Sequence, residues 1–184
     1  LDTSNPKLHI VNHKDFIPEE YLPTFSSHTI ELNLHRIEGL AEQFVYFNDD
    51  MFPVGDCRPE DFFRDGRPVI GYYRHLFASG MYKKICRTSD RLARKALGMK
   101  PSCFFTRPQH ICSPMLKSQC EELYAKVEEE IRKTSASRTR TGENLNQYLF
   151  LDYMNYKGMV IREKISNKHF SVAVASPDSL REFL

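Results

Sequence analysis

Asn48, Asp49 and Asp50 directly follow an apolar run, QFVYF, whose aromatic and β-branched residues are typical of a strand. Two adjacent carboxylates repel each other and are costly to bury unless a cation, a ligand group or water neutralises them. Oxygen ligands at a strand end suit Mg²⁺ or Mn²⁺, which take one or two carboxylates from the protein and phosphates from a substrate. A solvated turn, in which the carboxylates accept from backbone amides, explains the same residues. Spacing alone leaves both interpretations open and slightly favours the turn.

Two other groups of polar residues lie next to predicted helices. His110 lies just before a helix, where a lone histidine is structural more often than catalytic. Arg138 and Arg140 lie before another helix, in the stretch SASRTRTGEN. Arginine beside the unsatisfied amides of a helix N-terminus is suited to binding phosphate. An exposed linker rich in Ser and Thr fits this composition equally well.

Four basic residues, Lys84, Arg87, Arg91 and Arg94, recur at three- and four-residue steps and are expected to share one helix face. Such a face can contact a polyanionic acceptor or an anionic membrane surface. The solvated side of an amphipathic helix is the more common explanation. No apolar stretch approaches the roughly 20 residues needed to span a bilayer, so we expect any membrane association to be peripheral.

The elements that position these residues are predicted to alternate between strands and helices. We predict strands over 7–12, 42–47, 158–165 and 169–176, and helices over 28–37, 81–99, 114–131 and 144–157. Ser113 would cap the third helix with Pro114 in its first position, and 101–108 would form a loop. A strand, a helix and a strand within the first fifty residues predict a βαβ unit, with the acidic residues beyond a carboxyl end of the sheet.

The first predicted helix, 28–37, determines where Glu31 lies. Ser26 and Ser27 are candidate N-caps. Ile30, Leu34 and Ile37 are spaced to form the buried stripe. Glu31 and His35, four residues apart, would then share a neighbouring face.

Length and composition predict one domain of the α/β class. The 184 residues, 41% of them hydrophobic, can build a sizeable core, and we expect a Rossmann-like or glycosyltransferase-like mixed sheet flanked by helices. We divide this domain, or fragment of one, into an acidic-motif βαβ part (1–56), a variable helical insert (57–100) and a part with His110, Arg140 and returning strands (101–184). No dinucleotide, Walker A, nucleophile-elbow or zinc-protease motif is present.

Charge and cysteine content narrow the partners and the compartment. A net charge of +2 with 27% charged residues gives no overall reason to expect nucleic acid as a partner. Five cysteines form no CxxC pair and match no structural zinc spacing. Reduced thiols in a cytoplasmic protein are the simplest interpretation.

Three stretches taken together resemble the Stealth family of capsular and exopolysaccharide phosphotransferases, which is related to N-acetylglucosamine-1-phosphotransferase. YLPTFSSHTIELNLHRIEGLAEQFVYFNDDMF is similar to the second conserved region, with PTFSS, a helix carrying Glu and HRI, and then NDD. RPQHICSPML and KTSASRTRTGENLNQYLFLDY are similar to the third region, with a His, a helix and then an Arg. The match in the second region runs in order over about thirty residues and is highly specific.

The resemblance implies transfer of a sugar 1-phosphate from a nucleotide-diphosphate sugar to a saccharide hydroxyl, with release of a nucleoside monophosphate. It implies that the essential Glu, Asp, His and Arg are Glu31, Asp50, His110 and Arg140. Asp50, with Asp49 and Asn48, would hold Mg²⁺ or Mn²⁺ on the diphosphate.

The resemblance also implies roles for the other candidate residues. Arg140 would neutralise the phosphoryl group, and Arg138 would assist. His110 would be either the base or a second phosphate contact, with Asp49 competing as base. Glu31 would support the site or contact the acceptor.

The family's first conserved region, a strand followed by a turn containing Trp, has no counterpart here, and the chain contains no Trp. The chain begins at Leu1, as expected for a fragment that lacks this region. Two alternatives follow: an incomplete fragment that acts as a binding module for sugar phosphates or nucleotide sugars, and a metal-dependent glycosyltransferase, which would release a nucleoside diphosphate. In each case we expect a cytoplasmic protein, at the inner face of the membrane if it associates with one.

Overall fold

The computed structural model describes residues 4–51, 53 and 55–165, and all structural statements below concern this part of the chain. The helices are α1 (Ser27–Asn33), α2 (Pro59–Phe62), α3 (Gly80–Ala96), α4 (Lys117–Lys126), α5 (Glu128–Ser135) and α6 (Tyr148–Tyr156). The strands are β1 (Gln43–Tyr46), β2 (Phe63–Arg64), β3 (Arg67–Ile70), β4 (Tyr72–His75), β5 (Phe105–Pro108), β6 (Ser113–Leu116) and β7 (Ile161–Arg162). Short 3-10 helices occupy His13–Asp15, Glu19–Tyr21 and Leu34–Arg36.

The described strands form three small sheets. β1 pairs antiparallel with β6, and β4 pairs antiparallel with β5. β3 lies between β2, to which it is antiparallel, and β7, to which it is parallel. The predicted α/β class is confirmed. The finer prediction of a Rossmann-like or glycosyltransferase-like mixed sheet, like the division into three parts, stays a prediction.

Helix α6 forms the centre of the core. It packs against α3, α4, β5 and β6 and is apolar on nearly all sides, as expected of a helix surrounded by other elements. Its fully buried side chains are Tyr148, Leu149, Phe150, Leu151, Tyr153 and Met154. Each such apolar side chain stabilises the fold by roughly 2 kcal/mol on burial. The first turn of α6 is therefore held rigidly, and this turn carries residues of the site.

The predicted βαβ unit is wrong. Residues 7–12 form no strand, because their apolar side chains have nothing to cover them: Ile10 is 62% exposed. β1 does form, but its partner is β6, from the second half of the chain. The acidic residues therefore lie at the end of an antiparallel pair.

The local signals around Ser113 and Pro114 were also misleading. These two residues lie in β6, where they pair with Tyr46 and Val45 of β1, and the helix begins only at Lys117. Long-range pairing thus overrides a helix-capping pattern. The predicted loop over 101–108 is wrong for the same reason, because Phe105–Pro108 is β5, paired with β4.

Other predicted elements occur in shorter form. The helix predicted over 81–99 is α3, and the one predicted over 144–157 begins at Tyr148 as α6. The strand predicted over 158–165 is reduced to Ile161–Arg162, and the one predicted over 169–176 lies outside the described residues. Within the described residues, no helix combines the length and the apolar character needed to cross a bilayer.

Candidate active site

Helix α1 buries a polar face, contrary to the pattern predicted from sequence. Ile30, Leu34 and Ile37, the predicted buried stripe, are only half-buried. The residues that are buried instead are His28, Thr29, Glu31, Leu32, Asn33 and His35. Because burying polar groups is costly, a polar face turned inward points to a purpose other than packing.

Glu31 lies at the centre of this buried face. Its Oε2 accepts a 3.3 Å hydrogen bond from the backbone N–H of Gln147, just before α6. Burial raises the pKa of the Glu31 carboxyl, while hydrogen bonds from Gln147 and Ser27 and the charge of Arg140 oppose that rise. The Glu31 carboxyl is therefore buried but surrounded by donors.

Arg140 reaches the same face of α1 from the loop before α6. Its Nη2 donates a 2.8 Å hydrogen bond to Ser27 Oγ, one helical turn before Glu31. The Arg140 charge also lowers the pKa of His28, whose burial is the larger cause, to about 4. His35 has a pKa of about 4, chiefly through burial. At neutral pH both histidines are uncharged, so the only cation close to Glu31 is Arg140, as far as the described residues show.

The acidic residues form an exposed turn after β1. Asn48 O accepts a 3.2 Å hydrogen bond from the N–H of Met51, which closes a turn with Asp49 and Asp50 in its central positions. Asn48 Nδ2 lies 3.9 Å from Met51 Sδ. Asp49 and Asp50 are exposed, and within the described residues neither accepts a hydrogen bond or forms an ion pair. A turn is present, as one interpretation predicted, but its carboxylates do not bind backbone amides there.

Tyr46 relates this acidic turn to Glu31. The phenol is half-buried on the last residue of β1. Burial raises its pKa, and the charges of Glu31, Asp49 and Asp50 raise it further. Electrostatic effects of this size act only over short distances, so all three carboxylates lie around one tyrosine.

His110 is held from the other side, by the first residue of α6. Its Nδ1 lies 2.8 Å from Tyr148 Oη, which in turn lies 2.9 Å from Tyr82 Oη. The Tyr82 and His110 rings meet edge to face, with centroids 5.6 Å apart. Glu31 is among the charges that raise the pKa of Tyr148, after burial and Tyr82, and so lies close to this group as well.

The register of the β1–β6 pair explains why the acidic turn and His110 occupy one end of the molecule. Tyr46 pairs with Ser113 in this antiparallel ladder. Asp49 lies three residues after Tyr46, and His110 lies three residues before Ser113. Both therefore leave the same end of the ladder.

Two groups of predicted residues are not gathered at this site. Arg138 is exposed, and no hydrogen bond or ion pair joins it to another described residue. The basic stripe on α3 is not uniform. Arg94 turns inward to Asp90 and Tyr156, at 3.0 Å and 2.6 Å, whereas Arg91 is exposed. Lys84 packs against Gly142 in the Arg140 loop, where an added Cβ would lie 3.0 Å from its Cδ.

The donor set fits a divalent cation only with help from a ligand. Within the described part of the chain, no three His, Cys, Asp or Glu side chains are grouped so as to hold a metal ion. The acidic turn offers the Asp49 and Asp50 carboxylates and the Asn48 amide. This set suits an ion such as Mg²⁺, which takes one or two carboxylates and completes its shell with phosphate and water.

Sequence reasoning missed four residues of this arrangement: Ser27, Tyr46, Tyr82 and Tyr148. Ser27 was detectable, since it precedes Glu31 by one turn and both would share a helix face. The three tyrosines carry no local signal. They matter because of contacts between residues as many as 66 positions apart, such as Tyr82 with Tyr148.

Comparison with known proteins gives a consistent set of matches. The family described as Stealth protein CR2, conserved region 2, matches residues 1–69. A capsular polysaccharide phosphotransferase of Streptococcus pneumoniae is 30% identical over 210 residues, covering 97% of this chain and 63% of that protein. One of Streptococcus thermophilus is 42% identical over 113 residues, covering 57% of this chain and 47% of that protein. One of Haemophilus influenzae is 33% identical over 165 residues, covering 85% and 45%. The chain spans about half the length of the curated relatives that it matches.

Proposed function

Because the chain belongs to the Stealth family, we propose that it carries the central residues of a sugar-1-phosphate transferase in capsular or exopolysaccharide synthesis. The enzyme would move a hexose 1-phosphate from a nucleotide-diphosphate sugar to a hydroxyl of a saccharide or polysaccharide. The observation that carries the proposal is the arrangement around Glu31. This buried carboxyl lies close to the acidic turn through Tyr46, to His110 through Tyr148 and to Arg140 through Ser27.

The reaction makes one P–O bond and breaks another. The acceptor oxygen bonds to the phosphorus that carries the sugar, and the bond from that phosphorus to the nucleoside phosphate breaks. Nucleoside monophosphate leaves with the bonding electrons, while the proton of the acceptor hydroxyl passes to a base. Such transfers depend mainly on positioning and on neutralising the phosphoryl oxygens.

Arg140 is suited to neutralising those oxygens. Its planar guanidinium can bind two oxygens at once, and its hydrogen bond to Ser27 Oγ fixes its approach to α1. Glu31 would not touch the phosphoryl group, which an anionic carboxylate would repel. It would instead orient Arg140 through Ser27 and hold the start of α6 through Gln147. Arg138, which is exposed nearby in sequence, would contribute positive charge to donor binding.

Asp49 and Asp50, with the Asn48 amide, would hold Mg²⁺ or Mn²⁺. When bound, the ion would supply positive charge to the donor diphosphate. The two carboxylates are exposed and, among the described residues, unpaired, so that they can accept it without losing existing contacts.

His110 has two chemical roles open to it, and they need opposite ring states. As the base for the acceptor hydroxyl it needs an unprotonated Nε2, with its proton on Nδ1. As a donor to a phosphoryl oxygen it needs the proton on Nε2. Asp49 is the other candidate for the base.

The proposed substrates also suggest a location. We place the reaction in the cytoplasm, at the inner face of the membrane if the acceptor is membrane-linked, with peripheral association only. The five free cysteines support a reducing compartment. We propose no nucleic-acid partner.

The test is to incubate the chain, and the full-length parent protein, with Mg²⁺ and a panel of nucleotide-diphosphate sugars and to identify the released nucleotide. Nucleoside monophosphate is the expected product. Nucleoside diphosphate would identify a glycosyltransferase instead and would overturn the proposal. Release by the parent alone, with donor binding retained by this chain, would identify the chain as a binding module that needs the rest of the protein. As a matched control, Glu60→Gln changes an exposed carboxylate on α2, outside the acidic turn.

A further inference from the structure

Tyr82, Tyr148 and His110 form a chain of three hydrogen-bonding groups. Tyr148 Oη lies between Tyr82 Oη at 2.9 Å and His110 Nδ1 at 2.8 Å. Tyr148 is fully buried in the first turn of α6, and the Tyr82 ring packs edge to face against both partners. The geometry fixes who touches whom. What determines the chemistry of His110 is the direction in which the protons point.

Each tyrosine has only one proton to donate. Burial raises the pKa of Tyr148 well above its usual range and also raises the pKa of Tyr82, so both phenols are neutral at physiological pH. Tyr148 can therefore donate to His110 or to Tyr82, but not to both. Its choice depends on what Tyr82 does with its own proton.

Arg107 determines the direction at Tyr82. The guanidinium carbon lies 5.9 Å from the centre of the Tyr82 ring, and hydrogen bonding by Arg107 opposes the rise in the pKa of Tyr82. A guanidinium can only donate, so the Tyr82 oxygen accepts from it. Cys86, also beside Tyr82, has a pKa raised to about 12 by burial and, as a neutral thiol, is only a weak acceptor. The proton of Tyr82 therefore goes to Tyr148.

We propose that Tyr148 is a positioning residue that donates its proton to Nδ1 of His110 and so holds the neutral imidazole in the tautomer protonated on Nε2. With this tautomer, His110 donates from Nε2 to a phosphoryl oxygen of the donor and is not the base. The base for the acceptor hydroxyl is then Asp49. The identity of the oxygen that His110 contacts rests on the proposed function, whereas the tautomer does not.

The tautomer can be measured without any activity. In the chain labelled with ¹⁵N-histidine, two-bond ¹H–¹⁵N correlations distinguish a protonated from an unprotonated ring nitrogen. The chain has seven histidines, and the signals missing from a His110→Gln sample identify His110. We expect a protonated Nε2 and an unprotonated Nδ1 at pH 7.5. A proton on Nδ1 alone, or on both nitrogens, would overturn the proposal.

Three tyrosine variants test the cause. Tyr148→Phe removes the donor, and we expect the protonated-Nε2 tautomer to lose its dominance and kcat to fall about tenfold or more at an unchanged KM, as when the partner that orients a histidine is removed. Tyr82→Phe leaves Tyr148 able to donate, so His110 should keep its tautomer. Tyr153→Phe removes another buried α6 phenol, one that donates to Glu122 at 2.8 Å, and is the matched control for stability. An unchanged tautomer in Tyr148→Phe would contradict the assignment. Should that variant not fold, the wild-type tautomer still decides.

His110→Gln and His110→Ala separate the donor role from the base role. Glutamine can place an N–H close to the position of Nε2 but cannot act as a base, so we expect it to release at least tenfold more nucleoside monophosphate than alanine, consistent with the loss of one phosphoryl donor. Equal losses in the two variants would overturn the donor role even if the tautomer is as expected. If neither wild type nor variants release nucleoside monophosphate, the proposed function fails, and the tautomer measurement still decides the hydrogen-bond assignment.

Discussion

Arg140 Nη2 and Ser27 Oγ lie 2.8 Å apart although 113 positions separate the two residues in the chain. This hydrogen bond attaches the loop before α6 to the first turn of α1. It brings the guanidinium to the end of the helix that carries Glu31, where its charge acts on both Glu31 and His28. The arginine is thereby positioned by a neutral partner and keeps its full charge for a ligand.

Replacing Arg140 by Lys should abolish most transferase activity. Lysine keeps the charge but loses the planar pair of donors, so we expect the barrier to rise by ~3 kcal/mol, or kcat/KM to fall roughly 100-fold. Ser27→Ala removes only the orienting hydrogen bond and should cost less. The measurement is nucleoside monophosphate release, with Arg91→Lys on exposed α3 as control. A full-rate Arg140→Lys enzyme would exclude Arg140 from phosphoryl binding.

Replacing Glu31 by Gln should separate stability from activity. Burial raises the pKa of Glu31, so the folded chain holds this proton more tightly than the unfolded chain, and its contribution to stability is lost as the pH rises through the folded pKa. Glutamine avoids that loss and can still accept from the Gln147 N–H. We expect a higher melting temperature than wild type at pH 7.5, a smaller difference at pH 4, and reduced activity. The exposed Glu38→Gln is the control; a lower melting temperature at pH 7.5 would contradict the argument.

Divalent metal should bind the acidic turn firmly only together with the donor. Two protein carboxylates are too few ligands for a closed site, and phosphate oxygens complete it. The electron paramagnetic resonance signal of free Mn²⁺ should fall little on adding the chain and much more on adding chain plus a nucleotide-diphosphate sugar. Asp49→Asn and Asp50→Asn should each remove the second effect, and Glu60→Gln should not. Tight Mn²⁺ binding that survives both substitutions would place the metal elsewhere.

A second pair of carboxylates, Asp90 and Asp152, makes the stability of the core depend on pH. Thr106 Oγ1 lies 2.9 Å from Asp90 Oδ1 and 2.7 Å from Asp152 Oδ1. Burial, and then the charge of Asp90, raise the pKa of Asp152 well above its usual range. Asp152 is therefore protonated in the folded chain, and its contribution is lost as the pH rises through that folded pKa.

Asp152→Asn tests this directly. The free energy of unfolding in urea should fall between pH 6 and pH 9 for wild type by more than it does for the variant. The exposed Asp56→Asn should behave like wild type. Parallel pH profiles for wild type and Asp152→Asn would show that Asp152 keeps one protonation state over this range.

Local sequence patterns identified the functional residues better than the elements that carry them. The NDD turn after β1 and the helix around Glu31 are predictable, because a strand of aromatic residues and a serine-capped helix are local features. The buried face of α1 was not predictable from periodicity, since its apolar stripe is half-exposed and its polar residues face inward. A pattern that assumes apolar residues inside fails where a site is buried.

The remaining errors came from long-range pairing. Ser113 and Pro114 have every local feature of a helix start, yet β1 recruits them as a strand. Tyr148 looked like an ordinary core residue, and nothing nearby in the chain indicates its contact with His110, 38 positions away. These features depend on partners that only the folded chain supplies.

The distribution of the site over α1, the turn after β1, the segment before β6 and the start of α6 has a kinetic consequence. Its contacts join residues from Ser27 to Tyr148, so no early folding unit built from neighbouring residues can contain them all. During refolding, helical signal should therefore return before ligand binding does. Catalytic competence would report completion of the last long-range step, and partly folded chains would be silent.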